Sequence, residues 1–187
     1  LPERFQDTVP QFEEVNLPVV VILDSTESFE SVKQTLTLLG QALGEDERAA
    51  QITTFLDEQL EKAQTLLKDT EERPSVLFLG ASSALSVAPA AMIQTSLIEA
   101  GGGTNAVVGV DGTGSFIEVN IEQIVAWNPD VIWYPAYSDY TAEDLINDPA
   151  WSSINAIKNN QIFEFPSLLE PWDQPTAAVA LGVDYAL

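Results

Sequence analysis

Between Asn120 and Trp133 the chain passes from helix to strand with no slack. Ile121, Ile124 and Val125 recur at helical spacing, Asn128-Pro129 ends the helix, and Val131-Ile132-Trp133-Tyr134 reads as a buried strand. An all-apolar strand needs cover on both faces, so the segment predicts one unit of a layered α/β sheet. The strand empties into an aromatic loop that carries Pro135, Tyr137 and Tyr140.

The same alternation recurs on either side. Ser75–Leu79 reads as a second buried strand. A helix is expected from about Pro89 to Ala100, with Met92, Ile93 and Leu97 inward, stopped by Gly101-Gly102-Gly103. Ala106–Val108 is a candidate short strand, and Asp111-Gly112-Thr113-Gly114 a turn. Short helical turns are expected between Leu145 and Asn155, a strand over Gln161–Pro166 and an apolar helical tail over Pro175–Leu187. The implied fold class is α/β, a small parallel or mixed sheet with helices on both faces.

Upstream, residues 1–18 read as loop and Val19–Leu23 as a buried parallel strand in need of a partner. Ser28 or Ser31 caps a helix with Phe29, Val32, Leu36 and Leu39 inward, interrupted by Gly40 and Gly44. A longer helix follows from about Glu45 to Leu67. Its stripe is Ile52, Leu56, Leu60, Ala63 and Leu67, widened by Phe55. At 1.5 Å per residue it is roughly 33 Å long, enough either to bridge two lobes or to lie across one sheet.

Composition removes several chemistries. The chain has no cysteine and no histidine, which excludes disulfides, thiolate or imidazole zinc sites and Ser-His-Asp triads within it. The 29 Asp and Glu face only 7 Lys and Arg, a net charge of −22. Such a surface repels nucleic acid and anionic lipid, and suits a saline medium where salt screens self-repulsion. No apolar run reaches the about 20 residues of a membrane helix, and no basic-apolar signal segment opens the chain.

Tyr134 and Tyr137 follow the strand end, where open α/β sheets place ligands, and are read as cleft-facing. Ser82 and Ser83 stand just beyond the Leu79 strand end, as hydrogen-bond donors to a ligand or as caps of the next helix.

From Leu17 onward the chain resembles the solute-binding proteins of ATP-driven importers for iron-siderophore, heme and cobalamin, in which two α/β lobes are joined by a long helix. The match rests on Leu17-Pro18-Val19-Val20-Val21, on Val32–Leu43 with Gly40 and Gly44, and on Ala100-Gly101-Gly102-Gly103-Thr104-Asn105. It continues in Ile121-Glu122-Gln123 with Asn128-Pro129-Asp130-Val131-Ile132, and in Pro149–Phe163. In that family a whole further lobe precedes the segment corresponding to Leu17. The resemblance therefore implies that residues 1–27 are a remnant of the N-terminal lobe, 28–72 the interlobe linker helices, 73–166 a Rossmann-like C-terminal lobe, and 167–187 a return segment with a clipped terminal helix.

The same resemblance implies roles. A glutamate at the position of Glu122 docks into an arginine pocket of the membrane permease, and Glu118 is a second candidate for that role. Phe116 falls where the family places an aromatic beside the ligand, although a core aromatic fits the pattern as well. Trp172, in Pro171-Trp172-Asp173, lines the cleft or packs the hinge. The implied protein is an extracellular or periplasmic, lipid-anchored, non-enzymatic carrier of a metal chelate. It needs no cofactor and no metal site of its own, and its partner is the permease subunit of an ABC importer. A lobe standing alone exposes apolar surface that favours a non-native dimer.

Two other classes stay open on the residues alone. One is a sensory or interaction lobe of a larger surface protein. The other is a hydrolytic enzyme, but Gly101-Gly102-Gly103 follows a helix instead of opening one, and Asp111, Asp130 and Asp139 are scattered.

Overall fold

The computed structural model describes residues 6–22, 27–110, 112, 115–167 and 169–187. Its centre is a four-stranded parallel sheet of order β3-β1-β5-β6, built from β1 (Ser75–Phe78), β3 (Thr104–Asn105), β5 (Val131–Pro135) and β6 (Ile162–Phe165). Register is fixed by Val76 opposite Val131 and Ile132 opposite Ile162, so the apolar side chains of neighbouring strands fall in common rows.

The pleat sends alternate residues to opposite faces, and each face has its own core. On one face Val76, Phe78, Trp133 and Phe165 meet α3 (Asp46–Leu67), α4 (Ile93–Ala100) and α8 (Val179–Ala186). On the other, Leu77, Leu79, Ile132 and Tyr134 meet α5 (Ile121–Trp127), α6 (Ala142–Asn147) and α7 (Asn155–Lys158). The architecture is the three-layer α/β/α that the alternation predicts. Burying each large core side chain contributes about 1.5–3 kcal/mol, and Leu77, Phe78, Leu79 and Ile132 are all fully buried.

The helical hairpin of α2 (Phe29–Leu43) and α3 lies against the first face. Ser28 and Ser31 form a reciprocal capping box at its start, and Gly44 closes α2 with φ 74°, a left-handed conformation that glycine adopts without strain. Gly40 does not interrupt α2. It is where α3 comes closest, because a Cβ there would lie 2.5 Å from the Ala49 Cβ. The expected stripe of α3 holds at Leu56 and Ala63, whereas Phe55 is 40% exposed and does not widen it.

Four local expectations need correction. Within residues 1–18 the chain forms α1 (Thr8–Glu14), which tolerates Pro10 because first-turn N–H groups have no helical partner anyway. Val19–Ile22 is not a buried strand. It pairs with no described strand and Val20 is 50% exposed. Residues 23–26 of that stretch, and Asp111, Thr113 and Gly114 of the expected turn, lie outside the described residues. The strand expected at Ala106–Val108 sits earlier, at Thr104–Asn105, where Gly103 lets the backbone meet β1. The helix expected from Pro89 starts at Ile93, because Ser86–Val87 (β2) is taken up in an antiparallel ladder with Ile117–Glu118 (β4).

Candidate functional site

Parallel strands direct all their carboxyl ends to one edge of the sheet, and the loops there are the natural ligand face. Here that edge carries residues 80–84 after β1, 136–140 after β5, and 166–167 and 169–174 after β6. Two bonds bind the first two loops together. The Tyr140 hydroxyl donates to the Gly80 carbonyl at 2.8 Å, and the Asp139 N–H donates to the Ala81 carbonyl at 2.8 Å.

Tyr137 is the aromatic that this edge presents. Its side chain is 40% exposed, its hydroxyl donates to Asp173 Oδ2 at 2.8 Å, and the Gln174 amide donates back to the phenol oxygen at 2.8 Å. Behind it Asp173 and Gln94 are fully buried, and the Gln94 amide donates to the Asp173 carbonyl at 2.8 Å. Burial pushes the Asp173 carboxyl up from the usual carboxylate range, against the bonds that Tyr137, Gln94 and Gln174 offer it. Burial, reinforced by the Asp173 carboxyl, pushes the Tyr137 phenol up as well.

The other predicted residues divide. Tyr134 alternates onto the second face of the sheet, where only 6% of it is exposed and its ring meets Tyr140 at 5.8 Å. Its hydroxyl lies 3.5 Å from Glu164 Oε2, in an open cleft of about 670 Å³ along the outer edge of β6. The pleat thus sends it to the face opposite Trp133 and leaves little of it exposed. Phe116 is half-buried, its ring 6.5 Å from that of Phe78, and one edge of it abuts Gly80. Trp172 is half-buried against the first core face, 6.5 Å from the Tyr185 ring, so it packs the return segment onto α8.

Ser82 is exposed at the tip of its loop. Ser83 accepts the Leu85 N–H at 3.2 Å and donates to Glu118 Oε2 at 3.4 Å, so it braces its own turn and not a helix start. Glu118 and Glu122 are both exposed. Asn120 caps α5 through the Gln123 N–H at 2.8 Å, and Glu122 stands in the first turn, where the helix dipole favours a carboxylate. Because α5 leads back into β5, its start lies at the same edge as Tyr137.

Asp130, one of the scattered aspartates, is a brace. It accepts from the Ser75 hydroxyl at 2.8 Å, the Ser75 N–H at 3.1 Å and the Asn155 amide at 3.3 Å. These bonds, the Ser75 hydroxyl first, hold its carboxyl below the ordinary range. Asp139 is exposed and Asp111 lies outside the described residues. Among the described residues no three acidic side chains converge as a metal site, and no helix is long and apolar enough to cross a membrane.

Residue-by-residue reading missed Gln94, Asp173 and Gln174. The available signal was a carboxylate between two prolines, Pro171 and Pro175, in a rigid loop that returns to the strand tips.

The family profile described as periplasmic binding protein matches residues 2–169, and the chain belongs to that family. Among curated relatives, the molybdate-binding protein MolA of Haemophilus influenzae is 27% identical over 94% of this chain and 55% of its own length. The uncharacterized ABC transporter substrate-binding lipoprotein YvrC of Bacillus subtilis is 25% identical over 84% of this chain and 49% of its own. The chain thus spans about half the length of the curated relatives it matches. The crystal structure of a periplasmic solute binding protein from Veillonella parvula superimposes with a TM-score of 0.80 at 23% identity, over 98% of this chain and 56% of that one.

Proposed function

We propose that this chain forms one wall of a ligand cleft in an ABC importer's substrate-binding protein, which captures a metal-containing solute outside the cytoplasm and delivers it to the permease. The observation that carries the reading is the shared edge. Tyr137 faces outward at the strand tips, and Glu122 is exposed at a helix start on the same edge of the sheet. An aromatic at such an edge buries large area against a ligand at low entropy cost. An exposed carboxylate with no ion-pair partner among the described residues suits the planar fork of a permease arginine.

Ser82 at the loop tip and Phe116 behind Gly80 join Tyr137 as ligand-side residues, and Glu118 joins Glu122 as a second docking carboxylate. Trp172 supports the wall from behind. The metal-containing solute is an iron chelate, heme, cobalamin or a related compound. MolA, named for molybdate, extends the range to metal oxyanions. The lipoprotein relative supports tethering at the outer surface of a membrane.

The test is titration of the chain, followed by tryptophan fluorescence, against ferric siderophores, heme, cobalamin and molybdate. Saturable binding to one of them, weakened at least tenfold by Y137A, is the expected result. Binding to one of them that Y137A leaves unchanged would place the ligand elsewhere, and binding to none would reject the solute class.

A further inference from the structure

Asp173 and Gln94 are buried polar residues in contact. Both side chains are fully buried, and each leaves one oxygen without a partner among the described residues, Asp173 Oδ1 and Gln94 Oε1. The two residues already touch, since the Gln94 amide nitrogen donates to the Asp173 carbonyl at 2.8 Å. A buried acceptor left unpaired is destabilising, and a buried carboxylate without a cation more so. The groups acting on the Asp173 carboxyl are the Tyr137 hydroxyl, its own backbone N–H and the Gln94 and Gln174 amides, and none of them is charged. A hydrogen on Oδ1 would turn one of the two orphaned acceptors into a donor, and Gln94 Oε1, on a residue already bonded to Asp173, is the other.

We infer that Asp173 keeps its proton in the folded chain at neutral pH, donates it to Gln94, and acts as a positioning residue that holds Tyr137 as a neutral phenol with its hydroxyl hydrogen turned inward. Asp173 Oδ2 then remains an acceptor for the Tyr137 hydroxyl at 2.8 Å, and Gln174 fills one acceptor site of the phenol oxygen. What Tyr137 has left to offer outward is its ring and one lone pair. It meets a ligand that stacks or donates, such as a hydroxyl, amide N–H or ammonium group, and it does not bind ferric ion as phenolate. This ligand preference rests on the proposed function. The proton on Asp173 does not.

The first test compares denaturant unfolding of wild type and D173N between pH 4 and 7. Asparagine mimics the protonated acid, because its amide donates to Gln94 while its carbonyl accepts from Tyr137. A carboxyl whose proton is held more tightly in the folded than the unfolded chain loses stabilising power as pH rises above its unfolded value. The ratio of wild-type to D173N unfolding constants should therefore climb about tenfold per pH unit above about pH 4. A flat or falling ratio overturns the inference. Should D173N fail to fold, carboxyl carbon NMR of aspartate-labelled wild type decides the matter. One aspartate should remain protonated at pH 7, and full ionisation of all of them would sink the idea.

The second test reads Tyr137 directly. In the alkaline difference spectrum of wild type against Y137F, Tyr137 should stay un-ionised beyond about pH 10, where free tyrosine titrates. Ordinary ionisation would break the proposed lock. Added ferric nitrilotriacetate should give no visible phenolate-to-iron band, and a band abolished by Y137F refutes the ligand preference. Failure of every solute titration would remove the proposed function yet leave the pH linkage of Asp173 intact.

Discussion

Tyr140 donates its hydroxyl hydrogen to the carbonyl oxygen of Gly80 across 2.8 Å, joining loops that leave two neighbouring parallel strands. The bond fixes how far Ser82 stands from Tyr137, so the edge is a preorganised surface and not a pair of independent loops. Binding to such a surface loses less entropy than binding to loops that must first be ordered.

Y140F should cost about 1 kcal/mol in urea unfolding at pH 7, the usual net worth of such a bond. Burial pushes the Tyr140 phenol well up, so the folded chain holds that proton more tightly than the unfolded one. The sign follows. Wild type should lose stability as pH rises above about 10, where the unfolded phenol ionises, and Y140F should lose less over the same range.

G40A should be destabilising although alanine is the better helix former. A Cβ at Gly40 would lie 2.5 Å from the Ala49 Cβ, so α2 and α3 must separate. Overpacking costs about 1–3 kcal/mol against about 1 kcal/mol gained in propensity. The reciprocal pair G40A with A49G should recover most of the loss, and a double-mutant cycle by chemical denaturation measures that coupling.

What was legible in the sequence follows from where its signals arise. Ser75–Leu79 and Val131–Tyr134 are apolar on both sides, so their strands and the two-faced cover could be read directly. The Asn128-Pro129 stop set the end of α5 to the residue. Tyr134 and Tyr137 could not be told apart by type, because the pleat that buries one and the loop that exposes the other are set by register with β6. The network of Asp173 could not be read from its rigid Pro-flanked loop, since its partners Gln94 and Tyr137 are 79 and 36 residues away in sequence. Val19–Ile22 misled because an apolar run reports that a segment is suited to burial, not that a neighbouring strand lies beside it.

D130N should weaken the junction of β1, β5 and α7. The Ser75 hydroxyl and N–H and the Asn155 amide hold the Asp130 carboxylate below its ordinary range. A carboxyl with a depressed folded value stabilises above its unfolded value and loses that contribution as pH falls through the folded one. Wild type should therefore exceed D130N by about 1 kcal/mol at pH 7, and the gap should close below about pH 4. Thermal unfolding of both proteins across that range measures it.

E122R should separate folding from delivery. Glu122 is exposed in the first turn of α5 and has no ion-pair partner among the described residues, so its main local benefit is the helix dipole. Replacing it should change stability by no more than about 1 kcal/mol, and solute affinity should match wild type because Tyr137 and its network are untouched. Affinity for the permease should fall about tenfold or more, since a like-charged pair replaces a carboxylate–arginine contact. The measurements are urea unfolding, solute titration and capture of the permease in detergent. Permease capture unaffected by E122R, with E118R also silent, would move the docking surface away from the start of α5.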